Sequence, residues 1–189
     1  MLKFRIQQRT SGFTLVEIMV VIVIIGIMTT MMVPMFRGQN SQQKRMAQVA
    51  QLNKLMQGAW QNAITTDKLQ KVEFDFTQQR IVLTQAKAAG LTTGEQQFES
   101  TGPGVLIDNI KWPDTYRMVN FYIEDKDEMS YGERDTAWFY IVPDGLAQQV
   151  IINFVDEKES EDRGFEVETS LVLNPFYAQF KEYNEFQRP

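Results

Sequence analysis

The chain has 189 residues, 43% of them apolar, which allows one core-bearing domain plus an appended segment and argues against general disorder. Its net charge of −5 makes sequence-independent nucleic-acid binding a poor fit, so no nucleic-acid partner is expected. With no Cys and no His, the chain excludes disulfides, thiol nucleophiles, Cys/His zinc sites and Ser-His-Asp triads.

The positive charge is placed unevenly. Lys3, Arg5 and Arg9 come first, and no acid precedes Glu17. Losing residues 1–12 would leave a chain of about −8. Residues Ile18–Phe36 then run for nineteen positions without a charge. As a helix this stretch reaches roughly 28 Å, close to the hydrocarbon thickness of a bilayer. All-round apolarity just after a basic N-terminus favours a membrane span over a buried core helix. Lys3, Arg5 and Arg9 are nearly matched by Arg37, Lys44 and Arg45 beyond the run, so charge alone does not orient it.

Residues 37–66 continue helical and become amphipathic, with Met46, Val49, Ala50, Met56, Ala59, Trp60, Ala63 and Ile64 expected on the packed stripe. The two parts join into one helix of about 80 Å. Beyond Asp67 the period falls to two. Val72, Phe74 and Phe76, then Ile81 and Leu83, predict a hairpin about Gln78-Gln79, a pair that is not favoured turn chemistry. Residues 86–104 read as loop, followed by strands at 105–110, 118–124 and 138–142. In the second of these strands Val119, Phe121 and Ile123 share a face. Pro143-Asp144-Gly145 is a turn, and Val150–Val155 suits a central strand because it is apolar on both faces. Phe165, Val167, Thr169, Leu171 and Leu173 mark one face of the next strand. Asn174-Pro175 then turns the chain into a last strand at 178–182. Helix first and strands after read as α+β: a long N-terminal helix packed by its second half against an antiparallel β-sheet domain.

The informative stretch is Ser11-Gly12-Phe13-Thr14-Leu15-Val16-Glu17, directly before the apolar run. Here the sequence resembles the type IV pilins and pseudopilins, whose signature is G-F-T-L-x-E followed by about twenty apolar residues. Gly26 and Pro34 also stand where many pilins carry a helix-loosening Gly and Pro. A secretory signal would instead place its apolar part before an A-x-A cut, and no A-x-A follows this run.

The resemblance implies cleavage between Gly12 and Phe13 by a prepilin peptidase and N-methyltransferase, with N-methylation of Phe13. Gly12 suits such a cut, because a residue without Cβ lets a protease approach the backbone. Two readings of Glu17 stand. A carboxylate near the membrane face snorkels to water, or it pairs with the new Phe13 amine, four residues away on the same helical face. The pairing works within one chain or between chains, where it would fix the height of neighbouring helices and so direct assembly. Pro34 frees the carbonyl of Thr30, with Thr29 and Thr30 hydroxyls as compensation; it is either a tolerated membrane proline or a flexible point in the stem. The acidic groups at Asp125, Asp127 and Glu128 and at 156–162 lack EF-hand spacing and read as solvated loops, so no metal and no cofactor is expected.

The expected division is leader 1–12, hydrophobic stem 13–36, amphipathic stem 37–66 and β-rich domain 67–189. AWQNAI, FYIVPDG and LVLNPF are similar to minor pseudopilins of the GspH/FimT type, apart from Trp60 for a common Arg and Ala178 for a common Gly. The resemblance implies a non-enzymatic filament subunit of a type II secretion system, or alternatively a minor pilin of a type IV pilus (assembly priming, adhesion, motility or DNA uptake), the one case in which a nucleic-acid partner is expected. Its partners would be other pseudopilins or pilins, the processing peptidase and an inner-membrane assembly platform. It implies a single pass of the bacterial inner membrane, N-terminus cytoplasmic and domain periplasmic. A membrane-anchored enzyme using a carboxylate pair is the reading from another class.

Overall fold

The computed structural model describes residues 14–87, 97–102, 105–131 and 134–189, and for 30–40 and 131 the backbone alone. Helix α1 runs unbroken over Leu15–Thr66, about 78 Å at the usual rise. It stops at Asp67, whose φ of 54° puts it in the left-handed region. Arg45, Val49, Leu52, Met56, Ala59 and Ala63 recur at alternating steps of four and three and form the face turned to the domain. Leu52, Leu55, Met56, Ala59 and Ala63 are fully buried. The stripe expected from sequence holds at Val49, Met56, Ala59, Trp60 and Ala63 and fails at three positions. Met46 and Ile64 are 54% and 46% exposed and Ala50 also faces out, while Leu52 and Leu55 carry the contact.

Two five-stranded antiparallel sheets pack on this face. The first holds β1 (Gln70–Asp75), β2 (Arg80–Ala86), β3 (Phe98–Ser100), β4 (Asn109–Lys111) and β7 (Thr136–Ile141), in the order β3-β2-β1-β7, with β4 also on β2. The second holds β5 (Tyr116–Ile123), β6 (Lys126–Asp127), β8 (Val150–Asp156), β9 (Glu168–Asn174) and β10 (Gln179–Tyr183), in the order β10-β9-β8-β5-β6. A short helix α2 (Glu157–Arg163) follows β8, and a 3₁₀ turn at Glu128–Tyr131 follows β6. Aromatic rings join the sheets: Phe74 of β1 meets Phe121 of β5 edge-on, with centroids 4.9 Å apart. Trp112 and Tyr116 pack on Phe154 of β8 at 5.4 and 4.7 Å. The α+β architecture is as the sequence implied, and β8 is buried along its whole length at the centre of its sheet.

Several local expectations change. The hairpin of β1 and β2 forms, but over Phe76–Gln79, with Gln79 at φ 49° and the Asp75 carboxylate accepting from the Gln78 N–H. Part of the expected 86–104 loop is β3, which continues the sheet beside the end of β2. The strand expected at 105–110 is reduced to β4, and Leu106 is 98% exposed. In β5 the pairing shifts between Met118 and Asn120, so Val119 leaves the alternation and Met118 packs against the core with Phe121 and Ile123. Val167, Thr169, Leu171 and Leu173 are buried as expected, but Phe165 lies in the turn between α2 and β9 and is 60% exposed.

The helix is fastened to the domain by side-chain amides as well as by apolar contact. Asn53 donates to the Phe180 carbonyl at 3.1 Å and accepts from the Phe180 N–H at 2.7 Å, so it replaces a neighbouring strand along the β10 edge. One turn later Gln57 donates to the Tyr177 carbonyl at 2.5 Å, and Trp60 donates its indole N–H to the Gly145 carbonyl at 2.7 Å. Gly145 sits at φ 80°, and a Cβ there would meet Ile64 at 3.2 Å. Ala178, at φ 47° and fully buried, occupies the turn position where glycine is the unstrained choice. On the other face of β8, Asn153 makes the same reciprocal pair with the backbone of Gln187.

The corrected stripe has a direct check. Leu52→Ala should destabilise the domain by about 2–5 kcal/mol, whereas Met46→Ala should stay within about 0.5 kcal/mol, read by chemical denaturation of the detergent-solubilised chain. Equal effects would place the wrong face against the sheets.

Candidate processing and assembly site

The start of α1 is set by Thr14. Its backbone is extended (φ −80°, ψ 150°) and its hydroxyl accepts from the Glu17 N–H at 3.3 Å. Thr14 and Glu17 stand at capping-box spacing, three residues apart. This cap was missed in the sequence reading, although Thr-Leu-Val-Glu carries its signature. Glu17 lies in the first turn, exposed, where the partial positive charge of the helix end favours a carboxylate. Gly12 and Phe13 fall outside the described residues, and so does the Phe13–Glu17 geometry.

After Glu17 the helix presents apolar side chains all round. From Leu15 to Met28 its twelve large apolar residues are between 48% and 74% exposed. An apolar surface this continuous marks an interaction face. Among the described residues, no helix is long and apolar enough to cross a membrane. The apolar run read at 18–36 extends beyond the described side chains, which stop at Thr29 before resuming at Ser41. Gly26 lies in open space, so among the described residues no neighbour outside its own helical turn requires a glycine there. Thr29 donates its hydroxyl to the Ile25 carbonyl at 2.7 Å, so it is committed one turn below the Thr30 carbonyl that Pro34 frees. Pro34 falls within α1, and its side chain is outside the description.

Where α1 meets the domain, the buried stripe begins with polar groups. Arg45 is buried and bonds the fully buried Glu159 of α2, and its Nε donates to Glu182 of β10 at 2.7 Å. Arg163 reaches the second oxygen of Glu159 at 2.6 Å, and the Ser41 hydroxyl donates to Asp162 at 3.2 Å. Burial works against the Arg45 charge, but the Glu182 hydrogen bond and the two carboxylates outweigh it and hold the guanidinium above its ordinary pKa. Burial, helped by Asp156, also pushes the nearby Tyr116 phenol well up. The 156–162 run is thus not a solvated loop. Asp156 caps α2 by accepting from the Glu159 N–H at 3.1 Å, and Arg45 draws Glu159 inward.

The other acidic group is also engaged. Asp127 accepts from the backbone N–H groups of Phe121 and Met129 at 3.2 and 3.0 Å. Glu128 is buried beside Arg134 and Lys126. Among the described residues no acidic group is arranged to hold a metal ion.

Residues 7–33 match the family described as the prokaryotic N-terminal methylation motif. No curated protein matches the chain. Among solved structures it is similar to the minor pseudopilin EpsH from the Type 2 Secretion System of Vibrio cholerae, at 10% identity, over 78% of this chain and 97% of that one, with a TM-score of 0.42.

The Arg45 cluster sets a second expectation. Arg45→Ala leaves the buried Glu159 short of a partner and should cost about 3–5 kcal/mol in stability by chemical denaturation. Adding Glu159→Gln should recover part of that loss. A single variant as stable as the parent would show that the cluster does not hold stem and domain together.

Proposed function

We propose that this chain, which carries a type IV pilin-like N-terminus, is a minor pseudopilin of a type II protein secretion system. The observation that carries this reading is one acid, Glu17, at the capped entrance of a helix that carries no further charge and stays exposed through Thr29, and whose far half packs against a globular domain. The methylation-motif match over residues 7–33 falls on that same entrance. Residues 1–12 are the leader, 13–36 the hydrophobic stem, 37–66 its amphipathic continuation and 67–189 the domain displayed outside the bilayer. A prepilin peptidase removes the leader after Gly12 on the cytoplasmic side and methylates Phe13. The apolar stem stays in the inner membrane, with the domain periplasmic, until an assembly platform passes the subunit to its filament neighbours.

The physics of the stem supports this order. Twelve large apolar side chains left in water would each forgo about 1.5–3 kcal/mol of burial. Lipid first, and neighbouring stems afterwards, supply that burial without refolding the domain. Glu17 has two uses in turn. In the single subunit it complements the helix end, and in the filament it meets a Phe13 ammonium, whose charge a buried carboxylate needs. Gly26 and Pro34 loosen the stem where neighbours pack. The chain acts as a structural subunit and is not an enzyme.

Two measurements test the proposal. Intact-mass analysis should find a mature chain beginning at Phe13 and carrying one added methyl group. A retained leader, or a cut beyond residue 36, would overturn it. Glu17→Ala should leave membrane insertion unchanged while lowering filament incorporation by about tenfold or more, the scale of one lost buried ion pair. Normal incorporation of that variant would remove the pairing role.

A further inference from the structure

The face of the second sheet that turns away from α1 is closed, although a polar row runs across it. Val150, Ile152 and Phe154 of β8 point into the core, so Ile151, Asn153 and Val155 point outward, yet all three are nearly inaccessible. Register places Asn120 of β5, Asn153 of β8, Ser170 of β9 and Tyr183 of β10 side by side on that outer face. Asn153 and Ser170 are 1% and 0% exposed. Polar side chains this deeply buried need partners, and here some of them come from outside the sheet.

After β10 the chain bends at 184–185 and returns over the row, where Gln187 lands. Its N–H donates to Asn153 Oδ1 and to Ser170 Oγ, each at 3.3 Å, and its carbonyl accepts from Asn153 Nδ2 at 2.9 Å. The Asn153 amide is oriented from within the sheet. The Ser170 hydroxyl donates to its oxygen, and Asn120, itself held by Asp127 at 2.8 Å, accepts from its nitrogen at 3.5 Å. The Gln187 side chain turns back to Glu185 instead. Among the described hydrogen bonds, Gln187 is the one residue of 184–189 that reaches the sheet. The clamp therefore grips a peptide unit and not a particular side chain. Phe186, half-buried directly before it, adds an apolar element. Neutral hydrogen bonds contribute modestly once exchanged against water, so this segment can lift while the strands beneath it stay packed.

We infer that the outer face of β8 and β9 is a binding site for an extended peptide, and that residues 184–189 are its resident, exchangeable ligand. The ligand class follows from the clamp: a strand-like segment with one free N–H and C=O and an apolar residue directly before them. Covalent attachment keeps the resident segment at a high local concentration, so the site is closed by default. A partner's segment enters only when the resident one lifts.

The test uses the full-length, detergent-solubilised chain and a fluorescent peptide of residues 184–189, Asn-Glu-Phe-Gln-Arg-Pro, read by anisotropy. Gln187→Pro removes the clamped N–H and leaves the clamp itself intact. This variant should bind the peptide at least about tenfold more tightly than the unaltered chain. Adding Asn153→Asp, which can no longer donate, should weaken that binding by about tenfold or more. A proline in place of the peptide's own glutamine should do the same. No binding by the Gln187→Pro chain, equal binding by the unaltered chain, or binding that survives either loss would overturn the site. Hydrogen exchange on the unaltered chain needs no variant. There the Gln187 amide should exchange at least about tenfold faster than that of Ile152 in β8. Equal protection would make the segment a fixed part of the fold and would overturn the inference as well.

Discussion

The second half of α1 is in contact with both sheets, and the rest of the domain is arranged around that contact. Leu52, Leu55, Met56, Ala59 and Ala63 supply its apolar part and are fully buried. The same helix has to satisfy a different surrounding a few turns earlier, where every large side chain is exposed. A single continuous element therefore joins an exposed apolar stretch to a packed one, and any bend between them would be transmitted as a rotation of the domain. The fastening is accordingly not left to oily contact alone, which is non-directional. Asn53, Gln57 and Trp60 bond backbone groups of the domain at successive turns and fix the rotation of the helix about its axis.

Arg45 adds a different kind of fastening. Its two carboxylate partners come from α2 and β10, elements separated by β9 in sequence, so one guanidinium holds three pieces of chain together. A planar, permanently charged group suits this better than a lysine would. Isolated, the arrangement is not a strong source of stability, since the desolvation of each ion offsets much of the attraction. Its value is positional: it defines where the exposed stem ends and the packed stem begins.

Much of the architecture was legible because it rests on periodicity. The uncharged run, the switch to period two after Asp67, the doubly apolar Val150–Val155 and the Pro143-Asp144-Gly145 turn all point the same way, and the strands follow. What failed had specific physical causes. The helical stripe reads too wide at one edge, because Met46, Ala50 and Ile64 look as apolar as Leu52 and Leu55, and only the sheets decide between them. The bulge at Val119 breaks an alternation that reads perfectly in sequence. The acidic 156–162 run reads as solvated because no local signal shows that Arg45, more than a hundred residues earlier, will neutralise Glu159. Its capping pattern, Asp156 followed three residues later by Glu159 and closed by Gly164 at φ 75°, was nonetheless there to be read. At the candidate site, Thr14 and Glu17 carried the same kind of pattern.

The amide side chains that stand in for strands have a chemical consequence. Asn53 at the edge of β10 and Asn153 above the middle of β8 each both donate and accept toward one backbone residue. That double role belongs to a carboxamide and is lost by a carboxylate, which only accepts. Spontaneous loss of ammonia at either position would therefore turn a matched pair into an oxygen facing an oxygen, with a new negative charge beside it. Ageing at these two asparagines would loosen the stem's seat and the covering of the second sheet while leaving every apolar contact in place.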